Sequence, residues 1–143
     1  MNGLEVPTSP EQLPGGSAPT VRAIVAAHGT FAEGIVSAVE QITGRGALFA
    51  TMTNFGLCRE DIQQRLLDAL DSTSAKVVFT DLPAGSCTMA VRRVLRDRPD
   101  ITLVTGVNLS LLLDFAMKED SEPVAAAHAA IECGKASMTA HGA

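Results

Sequence analysis

The chain has 143 residues, 46% of them hydrophobic, which is enough for one packed core and too little for two ordinary domains. Its formal net charge of -5, from 16 acidic and 11 basic residues, speaks against nucleic acid as a partner, because a phosphate backbone calls for basic patches. With five Phe and no Tyr or Trp, stacking on aromatic platforms has little support, and the core is expected to consist of Val, Leu, Ile, Ala and Met.

Residues 1–20 carry Pro7, Pro10, Pro14 and Pro19 with Gly15-Gly16, the composition of a flexible N-terminal extension, and show no signal-peptide pattern. One domain is expected over residues 21–143. Val21–Ala26 reads as a short buried strand of the parallel kind, and it breaks at His28-Gly29-Thr30. Phe31–Ile42 follows as a helix, with Phe31, Ile35, Val39 and Ile42 on one face and Gly44 at its end. A second strand is expected over Ala47–Met52, then a turn at Asn54 and Gly56. Arg59–Leu70 is amphipathic, with Ile62, Leu66 and Leu70 aligned and Glu60 and Asp61 near its positive end.

Lys76–Thr80 is the third strand and runs into Asp81-Leu82-Pro83-Ala84-Gly85-Ser86. Thr88–Arg96 reads as a helix, with Pro99 beyond it. Ile101–Thr105 is the fourth strand and leads to Gly106-Val107-Asn108. Leu109–Met117 is apolar nearly all round, so burial on more than one side, as at an oligomer interface, is expected. Asn108 or Ser110 could cap it. Pro123 could open a last helix through Ile131, and Ala136–Ala140 could form a short edge strand. This alternation predicts a three-layer α/β/α sandwich around a mostly parallel, doubly wound sheet.

In that fold the strand-to-helix loops share one edge, so His28, Asp81–Ser86 and Gly106–Asn108 become neighbours if their strands do. His28 could serve as base, metal ligand or phosphoryl acceptor, or as a structural histidine contacting a carbonyl. Asp81 could accept a proton from one ring nitrogen and leave the other nucleophilic, or it could be a turn residue. Gly85 and Ser86, opening a helix, offer backbone N–H groups and a hydroxyl to an anion, or an ordinary cap. Gly29 would let the backbone approach closely, and Thr30 adds a hydroxyl. Asn108 is a candidate support that either orders the His28 loop or caps its own helix.

Phosphate-loop, dinucleotide-binding and GxSxG motifs are absent from the sequence. His128 and His141 read as surface or packing residues, not as a metal pair with His28. Cys58, Cys87 and Cys133 are widely spaced and form no CxxC, as expected of free thiols in a reducing compartment. No apolar run spans a bilayer, so a cytoplasmic location is expected.

Three segments carry a resemblance: AIVAAHGTFAEGI (Ala23–Ile35), KVVFTDLPAGSCTMAVRRV (Lys76–Val94) and ITLVTGVNLSLLLDFAM (Ile101–Met117). Taken in this order, each after its strand, they resemble the IIA domains of the mannose class (mannose, fructose, sorbose, N-acetylgalactosamine) of the bacterial phosphoenolpyruvate-dependent sugar phosphotransferase system (PTS). The resemblance spans nearly all of Val21–Gly142. It implies a homodimer with an exchanged edge strand, a role that Ala136–Ala140 would take.

It also implies that His28 is the phosphorylated residue, Asp81 its support, and Gly85 and Ser86 the phosphate loop. The donor would be the phosphorylated carrier protein HPr, and the acceptor a separate IIB component linked indirectly to membrane IIC and IID components. Neither cofactor nor metal is implied. The chain departs from the family's GGSP-like loop in having Ala84 and Cys87, so the expected proline near the helix start is missing. A regulatory or binding module of the same fold, without a sugar-transport role, is the alternative. A flavodoxin-like cofactor binder would need a longer loop after the first strand.

Overall fold

Strand β1 (Ala23–Ala27) has all five residues buried, which requires cover on both faces of the sheet. Strands β2 (Phe49–Thr53) and β3 (Val77–Thr80) pair with it in parallel, one on each side. β4 (Thr102–Val104) pairs in parallel with β3, and the sheet order is β2-β1-β3-β4. The structure, a computed structural model, describes residues 20–143. Apart from Thr20, the expected N-terminal extension lies outside the described residues.

Alternate residues of the strands feed two apolar layers. Ala23, Val25, Ala27, Val77, Phe79 and Val104 face helices α1 (Phe31–Thr43), α4 (Leu109–Met117) and α5 (Pro123–Ala136). Ile24, Ala26 and Val78 face helices α2 (Arg59–Ser72) and α3 (Ser86–Leu95). The expected three-layer α/β/α sandwich is therefore observed. From β1 the chain moves outward through α1 to β2, then returns past β1 through α2 to β3. The direction of winding reverses between β1 and β3, and open parallel sheets hold their ligands at such a reversal.

Several elements follow from local chemistry. Gly44 ends α1 in the left-handed conformation at φ 73°, with its N–H on the Glu40 carbonyl. Glu122 caps α5 by accepting from the N–H groups of Val124 and Ala125, and Pro123 occupies the first turn, where no N–H is needed. The small residues Ala126, Ala127, Ala130 and Gly134 form the buried stripe of α5. A Cβ on Gly134 would stand 2.9 Å from that of Leu111, so α4 and α5 pack closely there.

The structure corrects four expectations. Gly46–Leu48 form a 3-10 turn rather than the start of the second strand, because the Leu48 N–H turns back to the Arg45 carbonyl at 3.2 Å. Phenylalanine, not methionine, fills the centre of the core: Phe49, Phe79 and Phe115 cluster with ring centroids 5.2–6.4 Å apart, while Met89, Met117 and Met138 are exposed. α4 finds its burial within its own chain, against α1, α5 and the sheet, so its apolar character alone does not call for a partner subunit. Finally, Ala136–Ala140 form no strand. α5 runs through Ala136, the Ser137 N–H bonds to the carbonyls of Cys133 and Gly134, and the remaining tail is exposed. No helix among the described residues is long and apolar enough to cross a membrane.

Candidate functional site

The register of β1 on β3 builds the site. Ala26 is the partner of Thr80, so the two chains leave the sheet together and place His28 beside Asp81. One Asp81 oxygen, Oδ2, accepts twice from His28: from the backbone N–H at 3.0 Å and from Nδ1 at 2.8 Å. A carboxylate in that position selects the tautomer with the proton on Nδ1 and leaves the lone pair on Nε2. The His28 side chain is 45% exposed and that of Asp81 12%, so the ring is reachable while its partner is held inside. Burial pushes the Asp81 carboxyl up, but the two hydrogen bonds from His28 and the attraction of its ring outweigh this, and the pKa falls below its ordinary value of 3.8.

Gly85 lies against the other side of the imidazole. It has φ +111°, and a Cβ there would sit 3.3 Å from His28 Cε1 and 3.7 Å from Nε2. The free nitrogen is therefore on the side where α3 begins. The first intrahelical bond of α3 runs from the Met89 N–H to the Gly85 carbonyl. The N–H groups of Ser86, Cys87 and Thr88 precede it and are the unpaired donors of a helix start. Gly29 has a different part. Its φ of +55° suits glycine, and no protein atom lies within 4 Å of where its Cβ would be, so the turn itself calls for glycine there. Thr30 opens α1 without a capping hydrogen bond from its side chain and is exposed.

Asn108 is not brought to His28. Its Oδ1 accepts from the Leu111 N–H, capping α4, and its Nδ2 donates to the Gly134 carbonyl at 3.0 Å, tying α4 to α5. Of its two sequence readings, the cap is the one observed. His128 lies on α5 and is exposed, His141 lies in the exposed tail 3.1 Å from Thr139 Oγ1, and no group of three or more metal-ligating side chains occurs among the described residues.

Two features were missed at the level of sequence. Thr80 and Thr88 are the buried polar residues of the described chain; their hydroxyls lie 2.7 Å apart, and Thr88 donates to the Leu82 carbonyl at 2.6 Å. Together they fix the Asp81–Gly85 loop between β3 and α3. Their signal was a hydroxyl in an otherwise apolar position, at a strand end and on the inner face of a helix. The second is Asn54, assigned only to a turn. Its carbonyl does accept the turn bond from the Leu57 N–H at 3.1 Å, but its Nδ2 also donates to Ser86 Oγ at 2.6 Å. Cys87 is buried directly below, and burial together with the nearby Asp81 charge pushes its thiol pKa up to about 11.

The ring is open to solvent, and several large apolar side chains nearby in sequence are exposed. Phe31, Phe55, Leu82 and Met89, all on segments that follow strands β1 to β3, are exposed by 39%, 80%, 51% and 56%. Exposed apolar groups on the segments beside a solvent-reachable ring suit a protein surface better than an enclosed small molecule.

Comparison with known proteins adds an independent line. Residues 22–132 match the family model described as PTS system fructose IIA component. A candidate PTS permease of Klebsiella pneumoniae is 25% identical, with a TM-score of 0.72, over 85% of this chain and 90% of that one. Component EIIA of Streptococcus agalactiae is 22% identical, with a TM-score of 0.76, over 83% and 95% of the two chains. The mannose/sorbose-specific IIA subunit of Enterococcus faecalis, 19% identical with a TM-score of 0.72 over 87% and 97%, shares the fold. No curated protein matches the chain in sequence.

Proposed function

Because the chain belongs to the family of PTS system fructose IIA components, which carry phosphoryl groups on histidine, we propose that His28 is its phosphorylated residue. The observation that carries this reading is the double contact of Asp81 Oδ2 with His28, which turns the ring so that Nε2 faces the start of α3.

The donor is phospho-HPr. Nε2 of His28 attacks phosphorus, the new N–P bond forms, and the P–N bond to the donor imidazole breaks, its nitrogen leaving with the electron pair. His28 keeps its Nδ1 proton throughout, and Asp81 stabilises the positive charge that grows on the ring. The Ser86 hydroxyl, the Thr30 hydroxyl and the backbone N–H groups of Gly29 and Ser86 hold the phosphoryl oxygens, with Gly85 leaving room for the ring beside them. Neutral donors suit a group that must leave again. The reverse attack, by a residue of a separate IIB component, unloads it, and IIB connects the chain indirectly to membrane IIC and IID components. Most of the catalysis is positioning and electrostatics.

Both partners must reach the same nitrogen, and the exposed Phe31, Phe55, Leu82 and Met89, on the segments after strands β1 to β3, offer apolar groups to cover. A homodimer is part of the same reading. The outer edge of β4 has no strand partner among the described residues, and beside it runs a groove of about 300 Å³ lined by Leu103, Thr105, Leu111, Ile131 and Met138.

Intact-mass analysis after incubation with phosphoenolpyruvate, enzyme I and HPr tests the assignment. An acid-labile gain of roughly 80 Da, the mass of one HPO₃ adduct on a nucleophilic histidine, is expected in the wild type and absent from His28→Ala. Full labelling of His28→Ala would place the phosphoryl group elsewhere.

A further inference from the structure

Ser86 was expected to offer its hydroxyl to the phosphoryl group, but a hydroxyl is a rotor and can equally turn its proton away. The structure contains a device that removes this freedom. Asn54 stands just beyond β2, and Ser86 opens α3 after β3, so the two flank the end of β1 from opposite sides. They meet there, 32 residues apart in sequence, with Asn54 Nδ2 donating to Ser86 Oγ at 2.6 Å. The Asn54 backbone is pinned at both ends. Its N–H bonds to the carbonyl of Ala27, the residue before His28, at 3.3 Å, and its carbonyl accepts from Leu57.

We propose that Asn54 is a positioning residue for phosphoryl transfer: by donating to Ser86 Oγ it occupies the acceptor side of that hydroxyl and leaves the O–H to donate to a phosphoryl oxygen on His28. The chemistry is one-directional. Ser86 has a single proton and, among the described residues, no protein acceptor for it. An amide N–H pulling on the oxygen also makes the O–H a stronger donor. An acceptor in place of the Asn54 N–H would draw the proton away from the phosphate. The inference rests on His28 being the phosphorylated residue, and it assigns nothing to Asn54 beyond the orientation of Ser86.

The test is a double-mutant cycle on the full chain, reading the rate of ³²P transfer from phospho-HPr by rapid quench. Asn54→Ala is expected to slow transfer roughly tenfold, a part of what loss of a whole oxyanion donor costs. Asn54→Asp keeps the shape but accepts the Ser86 proton, and it is expected to slow transfer more, by roughly a hundredfold. In a Ser86→Ala background Asn54→Ala should cause no further loss, and Asn54→Asp should keep only the smaller loss that its charge imposes on the phosphoryl group. Equal fractional losses in both backgrounds would make Asn54 a support of the loop alone and overturn the inference, as would an unchanged rate in Asn54→Asp. Far-UV circular dichroism checks the folding of each variant, and if Asn54→Ala fails it, the isosteric Asn54→Asp decides. Failure of the His28 reading is distinguishable, since wild-type protein would then carry no label on His28 at all.

Discussion

Asp81 Oδ2 lies 2.8 Å from His28 Nδ1 and 3.0 Å from the His28 backbone N–H, although 53 residues separate the two positions. The pairing exists because β1 and β3 are parallel neighbours with Ala26 opposite Thr80. A register slip of one residue would turn every side chain of β3 to the wrong face and carry Asp81 out of reach.

Asp81→Asn should therefore damage transfer far more than folding. The amide oxygen can still accept the His28 backbone N–H. In the place of Oδ2 that oxygen also keeps the bond to Nδ1, but it carries no charge, so the positive charge that grows on the ring during transfer loses its stabilisation. Transfer from phospho-HPr is expected to fall by roughly 10²–10⁴, with thermal unfolding shifted by only a few degrees. A variant that transfers at the wild-type rate would remove Asp81 from the mechanism.

Much of this pair was legible before any coordinates. His28 and Asp81 each end an apolar run, and the alternation of short apolar runs with period-3.6 helices puts both on one sheet edge. Gly85 and Ser86 were legible as a helix start. Asn54 was not, because its turn role explained it fully and its bond to Ser86 depends on β2 and β3 flanking β1, a strand order no local pattern encodes. Thr80 and Thr88 escaped for a related reason: a single hydroxyl in an apolar segment is read as tolerated, and its purpose appears only with its partner. Ala136–Ala140 was read as a short edge strand because an Ala-rich helix end looks similar in sequence; Ala136 instead ends α5, the Ser137 N–H bonds back to Cys133 and Gly134, and Met138–Ala140 pair with no strand of the described residues.

Gly85 and Gly29 both have positive φ, yet substitution should separate them. Gly85→Ala combines strain at φ +111° with a Cβ 3.3 Å from the His28 ring, so a loss of about 1–3 kcal/mol in urea unfolding and a roughly 10–100-fold slower transfer are expected. Gly29→Ala meets open space at φ +55°, and about 1 kcal/mol of strain is expected. Its transfer rate should suffer less than that of Gly85→Ala. Equal rate losses would show that the close approach to the imidazole is unimportant.

Thr88→Val keeps the volume and removes the donor to the Leu82 carbonyl, 2.6 Å away, and the partner of Thr80 Oγ1. With Thr80 and Thr88 both buried, water cannot readily replace the bond, and a loss of about 1–3 kcal/mol is expected in denaturant titration. The loop that carries Asp81 loosens in the same variant, so hydrogen exchange at residues 81–85 should quicken. Unchanged exchange there would mean that the loop is held by other contacts.

Stability should record the Asp81 interaction through pH. Its pKa is lowered on folding, so the folded protein binds the proton less readily than the unfolded chain, and ionised Asp81 favours the folded state. That contribution is complete above the unfolded value of about 3.8 and is lost as pH falls through the lower folded value. The difference in unfolding free energy between wild type and Asp81→Asn is therefore expected to stay level from pH 7 to about pH 5 and to shrink below pH 4. A difference that began to shrink near pH 6 would trace the dependence to another group.

Cys87 stands next to Ser86 in the loop where a catalytic thiol could have been imagined, and its environment makes it the least reactive cysteine of the chain. Burial and the Asp81 charge hold its thiol near a pKa of about 11, whereas Cys58 and Cys133 are exposed. Only the thiolate attacks disulfide reagents, and at pH 8 a thiol of that pKa is ionised to roughly 0.1%. Titration of native protein with a disulfide reagent should therefore release two equivalents quickly and the third only on unfolding. Cys87→Ala should keep wild-type phosphoryl transfer at a moderate cost in stability. A fast third equivalent from native protein would mean that the loop above Cys87 opens far more readily than its hydrogen bonds to Thr80 and Thr88 allow.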